Sequence, residues 1–363
     1  MTYMINVYGY DHVDSSPSRI VLVYIDSRKN FFLDVRDYEY LVGYINENGR
    51  VQDTFFDSFL FLGIVAPSGG SYETGTATSS DWKWFLDTIL GPDGQIDKLI
   101  KAHKNICRIL GKFNVIKVII MIPRPSPDLG YEERINLVKW YVNNTINSFR
   151  KIKYDKIRLV GFYWMSESVS ENDVKLVKNV SKIIHSKELF FYWIPYYNAK
   201  GIDSWRSLGF DYVMLQPNFA FYDVGLERFR DVDKRIRALG IGVEMELPLY
   251  KRNPRLEDWK QSFILYLDAS IKYNWSNLPL ISYYYGNDFI KMGKNSSLRT
   301  YYKFVYDHVT GNLTKKELEP YVRIALETYR RKRSLIYIVI GVPLVILLIA
   351  LCIIYRYIKK GYG

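Results

Sequence analysis

The sequence predicts a (β/α)8 barrel followed by a C-terminal transmembrane helix. Three observations predict it. Eight short, near-continuous apolar runs recur within residues 1–312, as strands covered on both faces do. Longer amphipathic stretches separate most of them, so strand and helix alternate. A final run of 21 residues, 335–355, carries no charge. At about 1.5 Å per residue it is long enough to cross roughly 30 Å of hydrocarbon.

In order, the strand runs are IVLVYI (20–25), SFLFLG (58–63), VIKVIIMIP (115–123) and RLVGFYW (158–164). They continue with LFFYWIP (189–195), DYVMLQP (211–217), GIGVEMELP (240–248) and LPLISYYYG (278–286). Helices are expected at about 81–110, 131–151, 171–185, 225–238, 255–273 and 296–309. DWKWFLDTIL and SENDVKLVKNV each open on an N-cap residue. The first two connections are less regular, and ETGTATSSD (73–81) reads as an open loop. The competing fold is an open doubly wound sheet, which usually carries a glycine-rich phosphate loop after its first strand. Here that place is DSRKNFF, without a glycine.

Residues 313–334, LTKKELEPYVRIALETYRRKRS, read as a helical linker between the barrel domain (1–312) and the membrane run. Residues 356–363 are a short basic tail. The net charge of +12 is mostly a membrane signature. Arg330, Arg331, Lys332, Arg333, Arg356, Lys359 and Lys360 flank the apolar run; setting those seven aside takes the charge to +5. A lipid bilayer is therefore the expected partner and nucleic acid is not. Four basic residues before the run face three after it, so the charge bias barely decides orientation. The start, MTYMINVYGYDHVD, shows no signal peptide, and read literally the chain is tail-anchored. N-x-[S/T] sequons at Asn143, Asn179, Asn274, Asn295 and Asn312 favour an extracytoplasmic barrel. Cys107 and Cys352 lie in unrelated segments, and no metal-binding spacing occurs. No metal or organic cofactor is expected.

Active sites of such barrels form at the C-terminal ends of the strands. The third run ends on Arg124, and the fourth on Tyr163, Trp164 and Glu167. The fifth ends on Trp193, Tyr196, Tyr197 and Asn198, and the sixth on Gln216 and Asn218. The seventh carries Glu244 and Glu246, and the eighth ends on Tyr284, Tyr285 and Asp288. Glu244 and Glu246 are two apart, so on a strand they share a face. Strands four and seven of an eight-stranded ring lie on roughly opposite sides. Glu167 and Glu246 can thus flank one bond, the arrangement glycoside hydrolysis requires. In that reading Glu167 is the general acid/base and Glu246 the nucleophile. Glu244 tunes Glu246 or binds a sugar hydroxyl. Trp164, Trp193, Tyr196 and Tyr285 are sugar platforms, and Arg124, Asn198, Gln216 and Asn218 hold hydroxyls.

Plainer alternatives stay open. Glu167 is also placed to cap a helix beginning near Ser170. Glu244 is also placed to pair with a buried Arg or Lys, and each ring to pack in the core. Asp57 precedes its strand, where a turn residue of the opposite face would stand, and is not read as catalytic. His12, His103, His185 and His308 have no triad spacing. A non-catalytic carbohydrate-binding barrel and an envelope-associated structural protein remain the alternatives to an enzyme.

FFDSFLFLG, VIIMIPRPSP, GFYWMSE, WIPYYNAKG with the following GFDYVMLQPNFAF, and GVEMELP resemble the family catalogued as domain of unknown function 4855. The resemblance covers most of residues 16–310. It implies a bacterial or archaeal barrel related to glycoside hydrolases, with no established substrate. A looser likeness is to glycosidases that carry the acid on strand four and the nucleophile on strand seven. That group usually places Asn before the strand-four Glu; here the residue is Ser166.

Overall fold

The computed structural model describes residues 19–27, 32–336 and 350–351. Its elements run β1 (Arg19–Tyr24), α1 (Val35–Val42), β2 (Gly43–Ile45), β3 (Val51–Thr54), β4 (Ser58–Leu62), α2 (Ser79–Leu90), α3 (Gln95–Leu110) and β5 (Ile116–Ile122). They continue α4 (Tyr131–Phe149), β6 (Ile157–Trp164), α5 (Val174–His185), β7 (Phe190–Trp193), α6 (Trp205–Leu208) and β8 (Tyr212–Leu215). Last come α7 (Glu227–Leu239), β9 (Gly242–Glu246), α8 (Trp259–Lys272), β10 (Ile281–Tyr284), α9 (Gly286–Lys294), α10 (Arg299–Val309) and α11 (Lys315–Ile336).

Each of the eight apolar runs contains one strand of a closed parallel barrel, in the order β1-β10-β9-β8-β7-β6-β5-β4. The small pair β2–β3 is a separate antiparallel hairpin inserted before β4. Its turn, Asn46 to Gly49, has Gly49 at φ +73°. The helix expected at 81–110 is two helices. Pro92 has no N–H to donate and pushes Gly91 out of helical geometry, so α2 ends and α3 restarts at Gln95. Three helices lie outside the expected set: α1, which a reciprocal Asp34/Asp37 cap starts, the single turn α6, and α9, which begins two residues after β10.

Strand register sorts the side chains into a lumen set and a helix-facing set. Tyr24 pairs with Leu62, Tyr163 with Met121 and Tyr192, Ser282 with Glu244, and Tyr284 with Glu246. These residues face inward. Trp164 pairs with Trp193 on the opposite face, toward the helices. Between β5 and β6 the register shifts at Val118/Ile119, so Val160 is skipped and Gly161 pairs with Ile119.

The segment expected as a linker is the helix α11. It packs on α8 and buries Leu318, Ala325 and Tyr329. Gln261 Nε2 donates to the Ala325 carbonyl at 3.2 Å. Most of the expected membrane run 335–355, and all of the tail 356–363, lie outside the described residues. Among the described residues no helix is long and apolar enough to cross a membrane.

Gly161 marks the tightest strand approach. A Cβ there would lie 2.2 Å from the Phe190 carbonyl oxygen and 2.6 Å from the Tyr192 ring. Backbone in a closed barrel cannot step aside cheaply. Gly161→Ala is expected to destabilise the fold by about 1–3 kcal/mol, measured by urea denaturation. An unchanged midpoint would show that β7 yields.

Candidate functional site

Glu244 and Glu246 both enter the lumen from β9, as their spacing requires. Glu246 is fully buried, at 0% exposure. Its Oε1 accepts the Asn218 backbone N–H at 3.1 Å and the Asn218 side-chain amide at 3.4 Å. Asn218 reaches this position at φ 59°, the left-handed region that Asn tolerates better than most residues. The Tyr266 hydroxyl, from α8, donates to Oε2 and accepts from Phe219 N–H at 3.2 Å.

Gln216 Oε1 accepts from the Asn218 amide at 3.0 Å, and Gln216 Nε2 donates to the Ile194 carbonyl at 3.0 Å. Asn218 Oδ1 accepts from Tyr197 N–H at 2.8 Å. Gln216 and Asn218, expected to hold sugar hydroxyls, are instead engaged within the protein: Asn218 orients Glu246, and Gln216 holds Asn218, ties the β7 and β8 loops together and faces Glu167. Neither amide is left unpaired, because a buried unpaired amide is costly.

Glu244 lies one pleat deeper and is 2% exposed. Its Oε1 has no hydrogen-bond partner, and among the described residues no Lys or Arg pairs with it. Burial pushes its carboxyl well above the usual range, and the charges of Glu246 and Glu167 push it further. Burial pushes Glu246 up too. The Asn218 and Ala220 amides and Arg228 pull it back, while Glu167 opposes them.

Glu167 follows β6 and is half-buried. It does not cap the next helix; Ser170 stands there, with its hydroxyl on Asp173. Burial, then the charge of Glu73, pushes the Glu167 carboxyl up to about 7, against a pull from the Gln216 amide. Glu73 was not among the expected residues, since its segment reads as an open loop. It sits on the connection after β4. Burial raises its carboxyl, and Arg124 lowers it.

Arg124 does not reach for a ligand. Its Nη2 donates to Asp173 at 2.7 Å, beside Arg134 at 2.6 Å. Its backbone N–H donates to the Tyr72 carbonyl at 2.8 Å, which fixes the loop carrying Glu73. Arg124 is thus a clamp between the loops of β4, β5 and β6.

The rings divide by strand face. Tyr163 and Tyr284 face the lumen, joined by Tyr24, which the sequence reading missed. Tyr24 lies 5.4 Å from Tyr284 and 4.9 Å from Tyr285, centroid to centroid. The Tyr284 and Tyr250 hydroxyls are 2.8 Å apart. Trp164 and Trp193 do not line the mouth. Both are fully buried on the helix-facing side, where Trp193 stacks on Phe210 at 4.8 Å and donates to the Ser166 carbonyl. Tyr197 has the Arg228 guanidinium 3.9 Å from its ring centroid, so that face is taken. Tyr196 is half-buried and Asn198 exposed. Asp288 is buried, accepting from Leu249 N–H and Lys291. Tyr222 is 59% exposed; partial burial raises its phenol first, and the charges of Glu167, Glu246 and Glu73 raise it further. It was missed because it lies beyond the strand end. Among the described residues no group of three or more His, Cys, Asp or Glu is placed to hold a metal ion.

Four carboxyls and a cluster of tyrosines therefore share the C-terminal end of one barrel. Residues 19–311 match the family profile described as Domain of unknown function (DUF4855). The chain belongs to this family. No curated protein matches it. Among solved structures, the DUF4855 barrel is similar to the catalytic domain of a glycoside hydrolase family 18 chitinase from the fern Peteris ryukyuensis. The TM-score is 0.46 at 12% identity, over 82% of this chain and 100% of that one. It is also similar to a glycoside hydrolase family 5 protein from Bacteroides vulgatus, with TM-score 0.43 at 12% identity, over 76% and 59% of the chains. An intracellular xylanase from Thermoanaerobacterium saccharolyticum gives TM-score 0.40 at 8% identity, over 73% and 84%. The closed strand order establishes the DUF4855 barrel independently of these likenesses.

The raised Glu167 carboxyl has a stability consequence of definite sign. In the unfolded chain it loses its proton near the ordinary 4.5; in the folded barrel it keeps it to about 7. Between those values the folded state binds more protons, so this group's stabilising contribution is full below 4.5 and is lost as pH rises through 7. Glu167→Gln is expected to flatten the fall in stability across that window, read from denaturation midpoints at pH 5 and pH 8. An unchanged slope would place the proton elsewhere.

Proposed function

We propose that this barrel is a membrane-anchored glycoside hydrolase with Glu167 as general acid/base and Glu246 as its carboxylate partner. The observation that carries the reading is the gathering of Glu73, Glu167, Glu244 and Glu246 at the strand ends, with Glu167 half-buried and protonated to about pH 7. A proton donor for a leaving glycosidic oxygen needs that raised value. Glu246 accepts hydrogen bonds from Asn218 and Tyr266, which favour its ionised form over that of Glu244. Tyr24, Tyr163 and Tyr284 give the lumen an amphipathic wall suited to sugar rings. The uncharged run 335–355 supports the anchor. The sequons at Asn274, Asn295 and Asn312 lie at exposed positions and support an extracytoplasmic barrel; those at Asn143 and Asn179 lie in helices with their Thr145 and Ser181 partners buried.

One observation favours a second reading, a glycan-binding barrel without turnover. Glu246 has no exposed surface, so a sugar reaches it only when its covering side chains move.

The test is hydrolysis of a glycan panel by the full chain in detergent. Glu167→Gln is expected to lower turnover by about 10²–10⁴-fold, and Glu246→Gln to abolish it. Parent activity is expected to fall as pH rises past about 7, where Glu167 loses its proton. Glycan binding retained by both variants, with no turnover by the parent, would establish the binding reading instead.

A further inference from the structure

We infer that the barrel is held with its mouth toward the membrane it is anchored to, and that a basic rim of the mouth meets anionic lipid headgroups. This rests on the anchoring reading above and narrows the substrate to a glycan carried at that bilayer surface. The first observation is the direction of α11. Its start lies beside the end of α8, where Lys315 faces Asp268. Its end lies beside the start of α8. Arg331 Nη2 meets Glu257 at 3.3 Å, and Lys332 donates to the Leu256 carbonyl. Leu256 and Glu257 belong to the connection from β9 to α8, which is on the mouth side of a parallel barrel. With 22 residues, α11 spans about 33 Å, so it carries the chain from the far face to the mouth. The uncharged run begins there, at residue 335.

The second observation is charge. The β9–α8 connection carries Lys251, Arg252 and Arg255, of which Lys251 lies beside Lys332 and Arg255 beside Tyr329 of α11. Lys251 Nζ donates to the same Leu256 carbonyl, at 3.0 Å, that Lys332 uses. Two ammonium groups thus converge on one neutral acceptor. Asp223 engages Arg255 at 2.5 Å and Glu257 engages Arg331, so the acids are fewer than the bases they face. A self-contained surface has no use for that repulsion. A negative leaflet compensates it, since headgroup attraction acts within about a Debye length of roughly 8 Å.

The opposite end of the molecule gives a control position. Connections from a helix to the next strand lie on the far face of a parallel barrel. Ser186 is exposed on the connection from α5 to β7, and Thr74 is exposed on the mouth-side loop after β4.

The experiment reconstitutes the full chain into phosphatidylcholine liposomes with or without phosphatidylglycerol. A thiol-reactive fluorophore is attached through T74C or S186C, with the labelled parent chain subtracted, and a quencher is carried on lipid headgroups. The expected result is at least about twofold stronger quenching for T74C than for S186C in anionic vesicles. K251E/R252E, two exposed substitutions, is expected to reduce that difference, as is high salt. A chain retained through alkaline carbonate extraction but quenched equally at both positions overturns the orientation and leaves the anchor standing. A chain that carbonate releases overturns the anchor and this inference together. Neither result touches the hydrolase reading, which the Glu167→Gln turnover assay decides separately.

Discussion

The structure turns on two carboxyls set inside a closed ring of strands. Glu244 and Glu246 cannot leave the lumen, because a one-residue slip of β9 would bury the opposite face of the strand instead. Burying an uncompensated carboxylate is expensive, so the surrounding elements are arranged around the one that is hydrogen-bonded. Asn218 adopts a left-handed backbone to aim its N–H at Glu246, Gln216 holds the Asn218 side chain, and Tyr266 reaches in from α8. Through Tyr197 N–H and the Ile194 carbonyl the same network fixes the β7 loop. A second network, Arg124–Asp173–Arg134, fixes the loops that bear Glu73 and Glu167. The two networks bring four acids from three strand ends, those of β4, β6 and β9, to one place without a neutralising cation at Glu244.

The strands were legible because parallel barrel strands are covered on both faces and so read as unbroken apolar runs. The shared face of Glu244 and Glu246 followed from period-two spacing alone. What the sequence does not display is phase. Tyr163 and Trp164 are adjacent, and which of them enters the lumen is decided by the register shift at Val118/Ile119, a feature of pairing and not of composition. The same ambiguity placed Trp193 in the mouth, where Tyr192 points to the lumen side. Gln216 and Asn218 sit where ligand-binding amides would, and only the three-dimensional contacts reveal that Glu246 has already claimed them. Glu73 and Tyr222 lie in irregular connections, where no periodicity exists to mark them. Pro92 and the Asn46–Gly49 turn, by contrast, carried readable stop signals for the helix break and the hairpin.

The protonation of these acids depends on their partners. Glu246 has donors on both oxygens, and Glu244 leaves one oxygen bare. Hydrogen bonding therefore favours the charged form of Glu246 more than that of Glu244, and each charge that forms holds the next proton more tightly. Glu167, closer to solvent, is held up to about 7. A negative bilayer surface changes that balance in one direction. A surface potential of roughly −30 mV concentrates protons about threefold, lowering the local pH by about half a unit. A mouth turned toward such a surface would keep Glu167 protonated at a bulk pH where a mouth facing open solvent would begin to lose the proton. Orientation and acid strength then act on the same group, so that the basic rim and the buried carboxyls form one electrostatic arrangement.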